Sequence, residues 1–238
     1  MAESKAGVAG PVARSPIRPS GAPVLVDGWE HDITPPVCAG LRLCDLSWLA
    51  KVSLRASMDG ATAAGLAVGR GRAARDAATR RLVVGSGPGE WMVIGPQGQG
   101  PAIVAELDER FGSAGELVSV VDLTHGRALV RLSGADAVVG VLSKLCALDF
   151  SDRAAPDGTA LRSSVASLVT DIVRDDLPAT LPTTAPAAGG GPGAGGLAGE
   201  RSYLLHCERS SGQYLFDALA DAGRDHAIAV YGATERDW

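Results

Sequence analysis

Asp122-Leu123-Thr124-His125-Gly126-Arg127-Ala128-Leu129-Val130-Arg131-Leu132 is the stretch on which the fold turns. A polar triplet opens it, and a strand-like apolar run closes it. The same order stands earlier in the chain, where Asp45-Leu46-Ser47 leads into Val52-Ser53-Leu54. A second matched pair follows each. Glu90-Trp91-Met92-Val93-Ile94 runs into Ile103-Val104-Ala105-Glu106-Leu107, and Ser202-Tyr203-Leu204-Leu205-His206 runs into Leu215-Phe216-Asp217-Ala218-Leu219. Trp91 to Ile103 and Tyr203 to Leu215 both span 12 residues. Repetition in this order and spacing predicts two like supersecondary units related by internal duplication. Both halves read as scaffold, because neither holds an obvious reactive cluster.

Working outward, Val52 and Leu54 alternate with Lys51, Ser53 and Arg55 as a half-buried strand should. Ser57 and Asp59 are candidate caps for an Ala-rich helix over 60–68. Two apolar runs, Arg81 to Val84 and Glu90 to Ile94, flank Gly85-Ser86-Gly87-Pro88-Gly89 and read as a hairpin. Ile103, Val104, Leu107 and Phe111 recur at helical spacing, with Gly112 as a stop. Leu117 to Val121 and Ala128 to Leu132 read as strands. Ser133 or Asp136 caps a helix striped by Val138, Leu142 and Leu145. Leu161 to Val173 reads as one long strand with an irregularity. Tyr203 to Cys207 is a strand, and Tyr214, Leu215, Ala218, Leu219 and Ala222 line the last helix. Each half thus runs strand, helix, strand, strand, helix, and a further strand would complete a split β-α-β, ferredoxin-like pattern. The expectation is an α+β protein. Residues 1–40 read as a disordered arm in which Val24-Leu25-Val26 is an isolated strand. The first unit covers 41–121, the second covers 122–226 with a flexible insert at 177–200, and 227–238 is a tail.

Composition narrows the function classes. The 238 residues are enough for a sizeable core, and 46% are hydrophobic. A net charge of −5 and an aromatic content of 4% argue against a nucleic-acid partner. Cys38, Cys44, Cys146 and Cys207 form no CxxC pair, so zinc is unsupported and reduced cytoplasmic thiols are expected. No secretory signal and no membrane span are expected.

Candidate sites are few. Gly85 to Gly89 fails the GxGxxG spacing and is followed by a strand, so it reads as a turn rather than a nucleotide loop. Asp122, His125 and Arg127 form a local cluster that could bind a ligand, supply acid–base chemistry or meet an interface, and the structural reading, a strand bend at Gly126, stands ahead of these. His206 reads as a hydrogen-bonded core histidine. Trp48 and Trp91 read as core. His31 and His226 carry no context. Ser210-Ser211-Gly212 reads as a helix cap.

Three segments resemble one family, the gamma subunit of heterotetrameric sarcosine oxidase. They are Asp122 to Gly134, Leu145-Cys146-Ala147-Leu148-Asp149 with Arg153, and Gly87-Pro88-Gly89-Glu90-Trp91-Met92-Val93-Ile94-Gly95. That family is similar to the wider aminomethyltransferase (T-protein) folate-binding group, whose early strand Asp45 to Val52 resembles. The resemblance implies an aminomethyltransferase-like fold in a complex that oxidises sarcosine to glycine. It implies a non-catalytic chain that packs against alpha, beta and delta subunits. FAD, FMN, NAD, zinc and the tetrahydrofolate site belong to those other subunits, and this chain holds no cofactor. Catalytic T-proteins carry a Gly-Gly-hydrophobic-Asp-Asp type segment with a folate-facing aspartate, and Arg81 to Glu90 here has no aspartate. The alternative is a stand-alone folate-binding one-carbon transfer protein. A subunit should expose an apolar patch larger than a monomer's.

Overall fold

In a computed structural model, residues 11–35, 39–178, 200–234 and 237–238 are described. Two mixed layers of strand and helix meet face to face. The strands are β1 (Val24–Val26), β2 (Trp29–His31), β3 (Leu41–Asp45), β4 (Ala50–Arg55), β5 (Ala73–Asp76), β6 (Arg81–Gly87), β7 (Glu90–Gly95), β8 (Ser119–Asp122), β9 (Arg127–Gly134), β10 (Ala160–Val165), β11 (Leu168–Arg174), β12 (Ser202–Glu208) and β13 (Ala229–Tyr231). The helices are α1 (Ala61–Leu66), α2 (Gly100–Phe111), α3 (Ala137–Leu145) and α4 (Gly212–Ala222). One sheet has five strands in the order β5-β6-β7-β4-β8, and the other has six in the order β10-β11-β12-β9-β3-β13. Pairing is antiparallel except between β13 and β3.

The central strands β7, β9 and β12 read as nearly unbroken apolar runs because both of their faces are covered. On β9, Ala128, Val130 and Leu132 face α3 and α4, while Leu129 joins the cluster between the sheets. On β12, Tyr203, Leu205 and Cys207 face the helices and Leu204 faces inward. On β7, Trp91 and Val93 lie under α2, while Met92 and Ile94 meet the other sheet. The layers therefore run helix, sheet, sheet, helix. On these three strands each face follows the period of two, whereas β10 alternates between buried and exposed residues and β8 is largely exposed.

Several expectations change. Lys51 does not share a solvent face with Arg55; it is buried to 1% exposure, because both sides of β4 are covered where it begins. Leu161 to Val173 is not one strand but the hairpin β10–β11. Its turn residues Ala166 and Ser167 both have positive φ, 48° and 68°. A two-residue turn of that kind is normally signalled by Asn-Gly, and Ala-Ser gives no such signal. Neither Ser57 nor Asp59 caps α1. Gly60 holds the cap position, and Glu116 accepts from the backbone N–H of Ser57 (3.0 Å) and Thr62 (2.8 Å). On α4, Phe216 is buried and Tyr214 is 56% exposed. Asp136 and Ser211 stand at the starts of α3 and α4 without a side-chain capping bond.

The sheets also redistribute the segments read from sequence. Leu41–Asp45 lies in the six-stranded sheet beside β9, and Ser119–Asp122 lies in the five-stranded sheet beside β4. Within the span read as a disordered arm, β1 pairs with β2, and Ile17 and Trp29 are buried. The tail residues Ala229–Tyr231 close the edge of the six-stranded sheet. Leu177 and Glu200 bridge at the base of the insert, whose interior lies outside the described residues.

Candidate functional site

Two tight turns sit side by side where the chain changes sheets, and the polar interior is built around them. In the first, Asp45 Oδ1 accepts from the Ser47 N–H at 2.9 Å; in the second, Asp122 Oδ1 accepts from the Thr124 N–H at 2.8 Å. Both are the local carboxylate-to-backbone turns that aspartate favours. Each hydroxyl then reaches across to the other turn's outgoing strand. Ser47 Oγ accepts from Leu129 N–H and Thr124 Oγ1 accepts from Lys51 N–H, both at 3.1 Å. The backbone repeats the exchange, Leu46 N–H to Leu129 O at 2.8 Å and Leu123 N–H to Lys51 O at 2.7 Å. These four bonds tie the sheets together at their crossing.

Lys51 lies beneath this knot. Its Nζ donates to the carbonyls of Ser47 (2.8 Å) and Leu49 (2.6 Å). Burial pulls its pKa down to about 7, and the carboxylates of Asp45 and Asp122 pull the other way. Burial likewise raises the Asp45 carboxyl, opposed by hydrogen bonds from Ser15 and Ser47. Both carbonyls accept from Lys51 Nζ, so the lysine holds the turn closed. Sequence alternation missed Lys51; a lone lysine directly after an apolar turn was the available signal.

Two cavities flank the turn Asp45 to Ala50. One, of about 210 Å3, is bordered by Arg14, Arg18, Asp32, Asp45 and Tyr231. The other, of about 320 Å3, is bordered by His31, Trp48, Gln97 and Trp238. Residues of the β1–β2 ribbon and the chain before it line both. Trp91, in contrast, is core, its indole donating to Val68 O at 2.8 Å.

Asp122, His125 and Arg127 do not converge. Asp122 serves its own turn, His125 stacks on Trp29 with ring centroids 4.9 Å apart, and Arg127 pairs with Glu208 at 2.9 Å. Gly85 to Gly89 belongs to the β6–β7 hairpin. A Cβ on Gly85 would lie 2.2 Å from Gly69 O, so the glycine admits a neighbouring backbone rather than a phosphate. His206 is buried but not hydrogen-bonded: Asp171 Oδ2 stands 3.6 Å from Nε2, and neither ring nitrogen has a partner among the described residues. A ladder of charges leads to it, Arg55–Glu90–Arg162–Asp171, with contacts of 2.9, 2.9 and 2.7 Å that join the sheets. Cys44, Cys146 and Cys207 are buried and free, and Cys38 lies outside the described residues. Among the described residues no His, Cys, Asp and Glu group suited to a metal occurs, and no helix is long and apolar enough to cross a membrane.

No protein-family model and no curated protein matches the chain. Solved structures do. The chain is similar to one in heterotetrameric sarcosine oxidase from Corynebacterium sp. U-96, with TM-score 0.60 and 22% identity, over 82% of this chain and 90% of that one. It is similar to glycine cleavage system aminomethyltransferase T from Bartonella henselae, with TM-score 0.62 and 14% identity, over 90% of this chain. It spans 56% of the aminomethyltransferase's length. The chain therefore has the mixed α and β architecture of these two proteins, with its two sheets crossing at the turns Asp45-Leu46-Ser47 and Asp122-Leu123-Thr124.

Proposed function

We propose that this chain is a non-catalytic subunit of the gamma kind in a sarcosine-oxidising assembly, a structural partner in the oxidative demethylation of sarcosine to glycine. The observation that carries the reading is one of extent. The chain accounts for 90% of a sarcosine oxidase chain but only 56% of an aminomethyltransferase. The interior supports it, because Lys51 is consumed by carbonyls and Asp122, His125 and Arg127 are dispersed among separate partners. The surface supports it too. Val24, Leu25 and Val26 are all exposed on β1, and Ile33 is 59% exposed. Such apolar side chains suit burial against the alpha, beta or delta chains.

On this reading the two sheets descend from one ferredoxin-like unit. Each follows the order strand, helix, three strands, helix, strand, from β4 to β8 and from β9 to β13. The reciprocal hydrogen bonds at the two turns support that descent. The two cavities at the sheet crossing are small for tetrahydrofolate. Both cavities at the crossing are at or below the small end of the roughly 300–1,000 Å3 that ligand sites occupy. Arg81 to Glu90 offers no aspartate. On this reading flavin, NAD and folate chemistry belong to partner subunits.

Co-expression with a flavin-bearing partner tests the proposal. The tagged chain should bring down a complex with flavin absorbance, and a monomer that ignores such partners would end the idea. Similarity over 90% of this chain to an aminomethyltransferase favours a second reading, stand-alone folate binding. Calorimetric titration of the isolated chain with tetrahydrofolate separates the two: heat of binding supports the second reading, and its absence supports the first.

A further inference from the structure

The outer edges of the two sheets are not treated alike. Beyond β13, the Thr34 carbonyl accepts from Gly232 N–H at 2.8 Å. β5 and β10 meet where both begin, through Ala73 N–H to Gly158 O at 2.7 Å and Ala160 N–H to Gly71 O at 3.0 Å. β8 ends the five-stranded sheet, and among the described residues it pairs with β4 alone. Its ladder shows which backbone groups are left over. Leu123 N–H donates to Lys51 O at 2.7 Å, and antiparallel pairs alternate between bonded and non-bonded. Val121 with Ser53 and Ser119 with Arg55 are therefore the bonded pairs. The N–H and C=O groups of Val120 and Asp122 point away from β4, and among the described residues nothing bonds to them.

A free edge is normally blunted by a charge, a proline or a bulge. Leu117-Val118-Ser119-Val120-Val121 carries no charge and no proline, and its pairing with β4 shows no shift of register. Val118 and Val120 pack with Val52 and Leu54 beneath α2. The opposite face is bare: Leu117 is 91% exposed and Val121 48%. The group that satisfies such an edge is another strand, and the charges that bracket this one say how it can meet a copy of itself. Outward-pointing residues must face outward-pointing residues. Asp122 opposite Asp122 sets like charges face to face, and Val118 opposite Val120 brings Glu116 opposite Asp122. Val120 opposite Asp122 leaves the two carboxylates on a diagonal. Val120 opposite Val120 avoids all three: Ser119 then faces Val121, Val118 faces Asp122, and the exposed Leu117 is covered by Leu123 of the second copy.

We propose that β8 is the seat of a symmetric dimer, in which it pairs antiparallel with β8 of a second copy of this chain about Val120 and joins the two five-stranded sheets into one. The dimer stands apart from the assembly reading, because it needs no other subunit.

Analytical ultracentrifugation of the full chain tests it. The chain should sediment as a monomer–dimer equilibrium that moves to dimer as concentration rises. Val120→Pro removes the outward N–H at the axis and leaves the bonds to β4 in place, so it should abolish the dimer. Leu117→Lys combined with Val121→Lys charges the bare face and should do the same. The amide spectrum of Val120→Pro shows whether that variant is folded; if it is not, the lysine pair, at positions already exposed, decides the matter. Register is read by cross-linking against the unaltered chain. Val120→Cys should give a disulfide-linked dimer under mild oxidation, since the facing Cα atoms would stand about 5.5 Å apart. Leu117→Cys, about 20 Å from its counterpart, should not. A chain that stays monomeric at every concentration, a dimer that survives the lysine pair, or cross-linking at Leu117→Cys as ready as at Val120→Cys would overturn the proposal.

Discussion

His206 carries the sharpest consequence at the scale of single residues. It is 1% exposed and stands too far from Asp171 for a hydrogen bond. Burial lowers its pKa to about 4, with Asp171 pulling the opposite way. The folded protein therefore takes up this proton only near pH 4, while the unfolded chain takes it up near pH 6.5. Between those values the unfolded state binds more protons, so stability present above pH 6.5 is lost as the pH falls towards 4. The full effect is at most about 3 kcal/mol. Urea midpoints measured at about pH 7 and pH 4.5 should converge in His206→Leu relative to the unaltered chain; an unchanged acid slope would show that other groups dominate. The sequence made this histidine visible as core, since it interrupts an apolar strand. Its missing hydrogen bond was invisible, because Asp171 belongs to a strand 35 residues away in numbering and only sheet register sets their separation. The same limit applied to Asp122, His125 and Arg127. Proximity in sequence brought them together on paper, but strand pleat and the ribbon's Trp29 sent each to a different neighbour.

At the scale of elements, the β10–β11 hairpin makes its own prediction. Ala166 and Ser167 both occupy the left-handed region, which costs a residue with a Cβ roughly 1–2 kcal/mol. Replacing them with the pair the turn prefers, Ala166→Asn with Ser167→Gly, should raise stability by about 1–2 kcal/mol. Chemical denaturation reads this directly, and a loss of stability would mean that the turn is held by contacts its backbone angles do not reveal. Elsewhere the elements were legible where two local signals agreed. Apolar period and a terminating glycine marked α2, and apolar runs around glycines marked β6 and β7. The α1 cap was not legible, since Glu116 supplies it from more than fifty residues away.

At the scale of the whole molecule, residues 11–35 form a strap. Ile17 is buried in the cluster beneath α4, Trp29 stacks on His125, and Arg18 N–H donates to Gln213 Oε1 at 2.7 Å. Deleting residues 1–33 should lower stability by a few kcal/mol, the transfer free energy of one buried aliphatic and one indole side chain. Thermal unfolding checks this, and an unchanged midpoint would show that the strap is held too loosely to matter. The same deletion removes Val24, Leu25, Val26 and Ile33, so under the assembly proposal it should also weaken capture of the flavin-bearing partner. Local sequence was enough for the alternation of strands and helices over most of the chain, because period and glycine stops act within a few residues; that the polar triplets at Asp45 and Asp122 form turns, and that Ala73–Asp76 is a further strand, came only with the structure. Tertiary structure alone decided that β3 and β8 lie in opposite sheets, that Lys51 is interior, and that the strap walls two cavities. Those outcomes depend on which distant surfaces exclude water together, and no local pattern encodes that choice.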